Sequence, residues 1–410
     1  MKKGYLSQHF EGVAVKHLSP VEADTLTSNQ HEFNGVEALR NILGEPDGKT
    51  VYPATFMYLT DHDDEPVIED GFLTWYDARQ KARMERGVMR YEYRLYFPTN
   101  QVSQLADAGD ILVMAKRPNA TLLAIIAEAK TTIARQILWL FGFTDCWSHP
   151  GFSIRKELET EQDRIKFSSR FILESIGIAV QVSEGTWLDE ILRKFSEAFP
   201  ATREFSAFAR STLPDVNPQD DQDAALMAWM EREEILFRTF EKYLIEKQLS
   251  QGFDDVDGFI SFSLSVQNRR KSRAGLALEN HLEILFKECG IQYTRTPNTE
   301  NKSKPDFIFP GIEEYQTPEY DPLLLTMLGV KSSCKDRWRQ VLAEADRIEQ
   351  KHLLTLEAAI SENQTESMQA KNVQLVLPEE LHDTYSDEQR PWLMNVAQFI
   401  EGVRRHQEQP

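Results

Sequence analysis

A chain of 410 residues is long for a single domain and favours two, while 41% hydrophobic and 10% aromatic residues fill real cores and exclude a wholly disordered protein. Lys and Arg number 46 against 65 Asp and Glu, a formal charge of −19, so the chain is no polycation that coats nucleic acid and any such contact has to be local. The start of the chain has no apolar core of signal-peptide length, the longest apolar run, Leu122 to Ala127, is far short of a membrane span, and Cys146, Cys289 and Cys334 are too few and scattered for a disulfide framework or zinc knuckle. Together these features predict a soluble protein of the reducing cytoplasm.

The first part of the chain reads as β-rich. Thr55 to Leu59, Phe72 to Tyr76, Val88 to Phe97, Ile111 to Ala115 and Leu122 to Ile126 are apolar or alternating, and turn-forming residues such as Asp61-His-Asp-Asp and Pro118-Asn119 separate them. The clearest alternation places Met89, Tyr91, Tyr93, Leu95 and Phe97 on one face and Arg90, Glu92 and Arg94 on the other, as a half-buried strand requires. Several short strands of this kind predict a small barrel or sandwich. Asp61-His-Asp-Asp-Glu65, flanked by two such segments, reads as an exposed turn rather than a metal loop. Arg79, Lys81, Arg83, Arg86, Arg90 and Arg94 concentrate positive charge around one hairpin, which is either a local footprint for phosphates or a solvated hairpin laced with ion pairs.

Helical stripes follow at Ile133, Ile137, Leu138 and Phe141 and at Leu188, Ile191, Leu192 and Phe195. The stretch Ser211 to Asp223, rich in Pro, Asp and Gln, reads as an exposed connector, and a domain boundary is expected between Gln181 and Asp223. The division is therefore 1–180, a helix and linker over 181–223, and 224–410. Within the last part, Ala224 to Lys247 and Ala274 to Cys289 are predicted helices. Short strands at Phe307 to Phe309 and Thr326 to Lys331 and a helix over Asp336 to Gln350 complete an α/β pattern.

Glu279, Asp306, Lys331 and Glu344 are the residues that invite a chemical reading. A hard divalent cation held by carboxylates can neutralise charge during phosphodiester cleavage and lower the pKa of a water, and a lysine beside them adds positive charge and helps to position the attacking water. If Asp306 opens one strand and Lys331 ends its neighbour, hairpin-like pairing brings them together, and Glu344 can swing back over the sheet from the following helix. On spacing alone the blander reading is favoured: a turn proline with a capping aspartate, a surface lysine and a solvated helix glutamate. Glu279 and Glu283 at i and i+4 fit a solvated helix face. The triplet Lys335, Asp336 and Arg337 adds a donor-acceptor-donor pattern. Lys and Arg suit the O6 and N7 acceptors of guanine and a carboxylate suits the N4 donor of cytosine, although a charged helix start with Trp338 packed in the core accounts for the same residues.

Asn268-Arg-Arg-Lys-Ser-Arg-Ala-Gly275, Leu278-Glu-Asn-His-Leu-Glu283, Lys304-Pro-Asp-Phe307, Val330-Lys-Ser-Ser-Cys-Lys-Asp-Arg-Trp-Arg-Gln340, Glu344-Ala-Asp346 and His352-Leu-Leu-Thr-Leu356 closely resemble, in order and spacing, the catalytic domain of EcoRII-type type II restriction endonucleases. The resemblance covers roughly Phe199 to the C-terminus. It implies an α/β PD-(D/E)xK restriction-endonuclease-like fold, with Glu279, Asp306 and Glu344 at the acidic active-site positions, Lys331 as the catalytic lysine, and Mg2+ as cofactor held by Asp306 and Glu344. It further implies that Lys335, Asp336 and Arg337 read the outer pairs of a CCNGG- or CCWGG-like site. The N-terminal part is more distantly similar to the family's effector domain, a B3-like pseudobarrel that binds DNA. The helix at 224–247 departs from the family where contacts near the central base pair are expected.

The expectation that follows is a sequence-specific, Mg2+-dependent double-strand DNA endonuclease. It is expected to act as a homodimer through its C-terminal domain, possessing a separately encoded DNA methyltransferase as counterpart and a type IIE arrangement in which the N-terminal domain binds a second site. The rival readings are a non-catalytic DNA-binding regulator on a nuclease scaffold and a structure- or damage-directed repair nuclease.

Overall fold

In the computed structural model the chain forms two compact units, Met1–Ala179 with Ala358–Gln364, and Val180–Glu357 with Thr365–Pro410. The residues described are all except 1, 3, 25–30, 35–36, 63–64, 88, 144–150, 179, 181–186 and 410, together with the side chains of 38, 301, 335 and 336. Val88, Asp63, Asp64, Cys146 and Gln181, used in the reading above, lie outside them. Among the described residues no helix is long and apolar enough to cross a membrane.

The first unit is β-rich. Its strands are β1 (Gly12–His17), β2 (Glu32–Asn34), β3 (Lys49–Leu59), β4 (Val67–Asp77), β5 (Tyr93–Tyr96), β6 (Ile111–Lys116), β7 (Leu122–Ala127) and β8 (Ser153–Arg155). They form one sheet of eight strands in the order β2-β5-β4-β3-β7-β6-β1-β8, antiparallel except where β3 runs parallel to β7. Side chains from strands far apart in that order, Phe33 on β2 and Ala14 on β1, share one apolar cluster with Phe56, Trp75, Leu95 and Met114, so the sheet curls around its own core. Burial of this continuous apolar surface is the main stabilising term, on the order of 25 cal/mol per Å² removed from water.

The strand expected over 88–97 is shorter than its alternation suggested. Tyr93, Leu95 and Phe97 do face the core, but Met89 is 90% exposed and Tyr91 49%. The ladder is interrupted because the amide of Glu92 donates to the Asp77 carboxylate (3.0 Å) instead of to a neighbouring strand. A short helix, α1 (Gln80–Arg86), fills the turn between β4 and β5. Asp61 accepts from the amides of Thr132 (2.6 Å) and Ile133 (3.1 Å), satisfying orphan donors at the start of α2 (Thr132–Leu140).

The second unit is α/β. Helix α3 (Leu188–Phe195), expected from its apolar stripe, and helix α4 (Thr202–Ser211), both within the stretch 181–223 read as a helix and linker, pack here. Ile191, Phe205, Phe208 and Ala209 join Leu236, Phe237 and Phe240 of α5 (Gln222–Gln251) in a separate apolar cluster. Helix α6 (Val256–Glu288) starts well before the expected Ala274, capped by Asp255, whose side chain accepts from the Gly258 amide at 2.7 Å. Its first half escaped the periodicity argument because Phe259, Ile260 and Leu264 point to solvent, so no buried stripe marks it.

Strands β9 (Thr294–Arg295), β10 (Phe307–Phe309), β11 (Thr326–Lys331), β12 (Lys351–Thr355) and β13 (Val373–Val376) form a five-stranded mixed sheet in the order β13-β12-β11-β10-β9. Strand β10 is antiparallel to β11, while β11, β12 and β13 run parallel. Phe286 of α6 packs edge-on against Phe307 (5.2 Å) and Phe309 (5.1 Å), and Phe399 of α7 (Val396–Glu408) against Phe309 (5.6 Å), which fixes both helices to the sheet. The α-helix expected over Asp336 to Gln350 is instead a 3-10 helix over Lys335–Ala343. Its end is closed by an i to i+3 bond from the Glu344 amide to Val341 (3.2 Å), and Ala345 takes a left-handed φ of 52°, which no α-helix continues.

Candidate active site

The antiparallel register of β10 and β11, Phe307 opposite Leu328, brings the residue just before β10 beside the end of β11. There the Asp306 carboxylate accepts from the Val330 amide (2.6 Å) and, through the same Oδ2 atom, from the Lys331 ammonium (3.2 Å). Both side chains keep limited access to solvent, 17% for Asp306 and 21% for Lys331, so the pair is neither a surface ion pair nor sealed in the core.

Glu344 reaches the same place by a different route from the predicted helix. The 3-10 turn before it lies tightly on β11: a Cβ on Gly329 would come within 2.5 Å of Val341, so only glycine permits that approach. Glu344 itself is extended, with φ −102° and ψ 142°. Its Oε2 atom is buried and has no hydrogen-bond partner among the described residues. Burial, reinforced by the negative charge of Asp306, pushes this carboxyl up to about 7, against the opposing charges of Lys331 and Lys351. An ionised carboxylate with an unmatched buried oxygen is costly, so this arrangement is suited to receiving a cation.

Glu279, in the C-terminal third of α6, belongs to the same electrostatic field. Burial and then the charge of Asp306 raise its pKa, while Arg295 opposes the rise. Arg295 on β9 donates to Glu279 (2.9 Å), Glu283 (2.6 Å) and Asn280 (2.9 Å), tying the helix to the edge strand. The structure therefore brings together Glu279, Asp306, Lys331 and Glu344. Arg295 was missed; three acidic side chains converging from α6 and the loop before β10 call for a balancing cation, and the Tyr-Thr-Arg segment between them was the available signal.

Among the described residues no three or more His, Cys, Asp or Glu side chains are grouped to hold a metal ion. A magnesium site does not need three, because Mg2+ commonly keeps several waters and uses one or two carboxylates plus substrate phosphate. Asp306 and the unpartnered Glu344 oxygen fit that donor set.

The proposed base-reading triplet starts the 3-10 helix. The Lys335 and Asp336 side chains lie outside the described residues, Arg337 is exposed, and Trp338 is buried in the core. Of the N-terminal cations, Arg79 pairs with Glu92 (2.5 Å), Arg94 with Glu32 and Glu92 (2.5 Å each), and Arg83 with Asp77. Lys81 lies 3.9 Å from Glu85. Arg86 and Arg90 are exposed. The ion-paired reading of this hairpin thus describes three of its arginines, whose carboxylate partners are Glu32 on β2, Asp77 at the end of β4 and Glu92 just before β5.

The family model described as EcoRII C terminal matches residues 237–400. The type II restriction enzyme EcoRII of Escherichia coli is 42% identical over 203 residues, 49% of this chain and 50% of its own length. The type II restriction enzyme SsoII of Shigella sonnei is 26% identical over 169 residues, 34% of this chain and 54% of its own. A solved structure described as metal-depleted Ecl18kI in complex with uncleaved, modified DNA aligns at a TM-score of 0.45 and 20% identity, covering 55% of this chain and 85% of that one. The chain spans about half the length of the curated relatives it matches. Over residues 237–400, the region that carries Glu279, Asp306, Lys331 and Glu344, the chain is thus similar to the EcoRII C-terminal family.

Proposed function

We propose that this chain is a type II restriction endonuclease that hydrolyses both strands of DNA at a specific site, using Mg2+. The observation that carries the reading is the juxtaposition of the Asp306–Lys331 pair with the buried, unpartnered carboxylate oxygen of Glu344. Asp306 and Glu344 would hold Mg2+, which supplies charge neutralisation at the scissile phosphate and acidifies a water. Lys331, anchored on Asp306, presents a positive charge at the mouth of the site and orients the attacking water. Glu279, braced by Arg295, holds the acidic wall behind them.

Lys335, Asp336 and Arg337 would read C·G pairs of a CCNGG- or CCWGG-like site from the start of the 3-10 helix. The exposed Arg337 side chain supports this reading. Cutting two strands is most simply done by two copies of the chain, and the exposed apolar residues Val256, Phe259, Ile260 and Leu264 on α6 are suited to a homodimer contact. The N-terminal unit, 1–180 in this reading, would be a B3-like DNA-binding effector domain whose contacts fall to Lys81, Arg86 and Arg90 more than to the paired arginines. Such an enzyme would act in the cytoplasm beside a cognate DNA methyltransferase.

Digesting long unmodified DNA with and without Mg2+ and mapping the ends tests the proposal. Discrete fragments sharing one terminal sequence are expected. Metal-independent inertness would favour a DNA-binding regulator, and random or damage-dependent nicks would favour a repair nuclease.

A further inference from the structure

Charged lysine side chains are seldom buried, because desolvating an ammonium is costly unless it finds strong acceptors. Lys351, the first residue of β12, is only 6% exposed. Its ammonium donates to two main-chain carbonyls of the turn that follows Glu344, those of Ala345 (2.7 Å) and Ile348 (2.5 Å). Burial lowers its pKa, and the nearby charges of Asp346, Glu344 and Glu300 counter that effect. No step of the chemistry described above uses it.

The surroundings of Glu344 show what the lysine does. Ala345 holds a left-handed φ of 52°, which a side-chain-bearing residue adopts only under strain, and Lys351 bonds its carbonyl. On the other side of Glu344, the carbonyl of Ala343 accepts from the Ser303 hydroxyl (3.1 Å), in the loop that leads to Asp306. Further along, the Arg347 guanidinium donates to the carbonyls of Thr317 (2.8 Å) and Tyr320 (2.9 Å). The backbone is therefore pinned immediately before and immediately after Glu344, while the carboxylate keeps an oxygen without a partner.

We propose that Lys351 is a positioning residue for Glu344, fixing the turn after it so that its carboxylate is held ready beside Asp306, with Ser303 as the weaker tie on the preceding side. This rests on the nuclease reading above. Outer contacts that orient a metal-binding side chain are typically worth about 10–100-fold in metal affinity or activity, and a tie that fixes only the backbone beside Glu344 is expected to act on affinity.

The experiment uses the full chain, its Lys351→Met and Ser303→Ala variants, plasmid cleavage over a range of Mg2+, and Ca2+-stimulated binding of an oligoduplex carrying the mapped site. Lys351→Met is expected to raise the half-saturating Mg2+ and the half-saturating Ca2+ together by about tenfold or more, with cleavage restored at high Mg2+ and binding in chelator unchanged. Ser303→Ala should shift both midpoints in the same direction by roughly threefold. Midpoints unchanged in both variants, or cleavage lost at every Mg2+ concentration with an unshifted Ca2+ midpoint, would overturn the assignment. Should Lys351→Met fail to fold by circular dichroism, the Ser303→Ala midpoints decide, a shift supporting the proposal and none refuting it. A parent chain that cuts no DNA in Mg2+ would instead sink the nuclease reading, a result recognisable without either variant.

Discussion

Around the N-terminal hairpin, Arg79, Arg83 and Arg94 each meet a carboxylate from a neighbouring strand or strand end, whereas beside the second sheet Glu344 keeps a buried oxygen with no hydrogen-bond partner among the described residues. In the sequence both the hairpin's cations and the set Glu279, Asp306, Lys331 and Glu344 admitted a functional reading beside a bland one. Folding consumes most of the hairpin's charge locally, holding Glu92 down at about 2 under its two arginines, while burial forces Glu344 up to about 7. What separates a structural ion-pair network from a candidate site is thus the polar capacity left over once the fold is complete.

The largest effects should come from the unsatisfied region. Lys331→Ala and Glu344→Ala are each expected to reduce cleavage by roughly a thousandfold, with folding by circular dichroism preserved, because neither side chain contributes core packing. Retained cleavage in either variant would reduce the contrast between the two regions to a matter of burial. Next in size is Arg337→Ala, which should cost about 1–3 kcal/mol of binding to the mapped site and leave non-specific binding nearly unchanged. An equal loss on all sequences would make Arg337 a phosphate contact instead.

The pH profile gives a smaller effect. Glu344 is protonated below its raised pKa of about 7, and a neutral carboxyl is a poor cation ligand, so cleavage at limiting Mg2+ should fall as pH drops through 7 and level off above it. The slope below the midpoint should approach about tenfold per pH unit, and a flat profile would remove Glu344 from the reaction. The smallest expected effect lies in the hairpin. If only unpaired cations contact phosphates, replacing Arg86 and Arg90 by Ala should flatten the salt dependence of DNA binding by roughly 0.9 per lost contact, whereas replacing Arg79 should change it little. The opposite order would show that the ion pairs open on DNA.

Much of the second unit was legible beforehand, because β10 and β11 are short apolar runs and Asp306 and Lys331 sit at their ends, where strand pairing alone dictates their meeting. The route to Glu344 was not. An apolar stripe at Trp338, Val341, Leu342, Ala345 and Ile348 suits an α-helix, but the carbonyls of Ala345 and Ile348 are taken by Lys351, and a tertiary contact of that kind leaves no mark on local periodicity. In the first unit β1 was overlooked because Val13, Ala14 and Val15 are buried on both faces, which erases the alternation that identified Tyr93, Leu95 and Phe97. Arg295 escaped because its role depends on three partners gathered from α6.

If Asp306, anchored by the Val330 amide and Lys331, organises a hydrolytic site, its removal should stop cleavage without releasing DNA. Single-turnover cleavage of a plasmid in Mg2+ by Asp306→Ala, paired with Ca2+-supported binding of the same DNA, measures this most directly. Binding within a few-fold of the parent and cleavage lower by at least about a thousandfold are expected. Cleavage by Asp306→Ala within about tenfold of the parent, a barrier change under roughly 1.4 kcal/mol, would contradict that role.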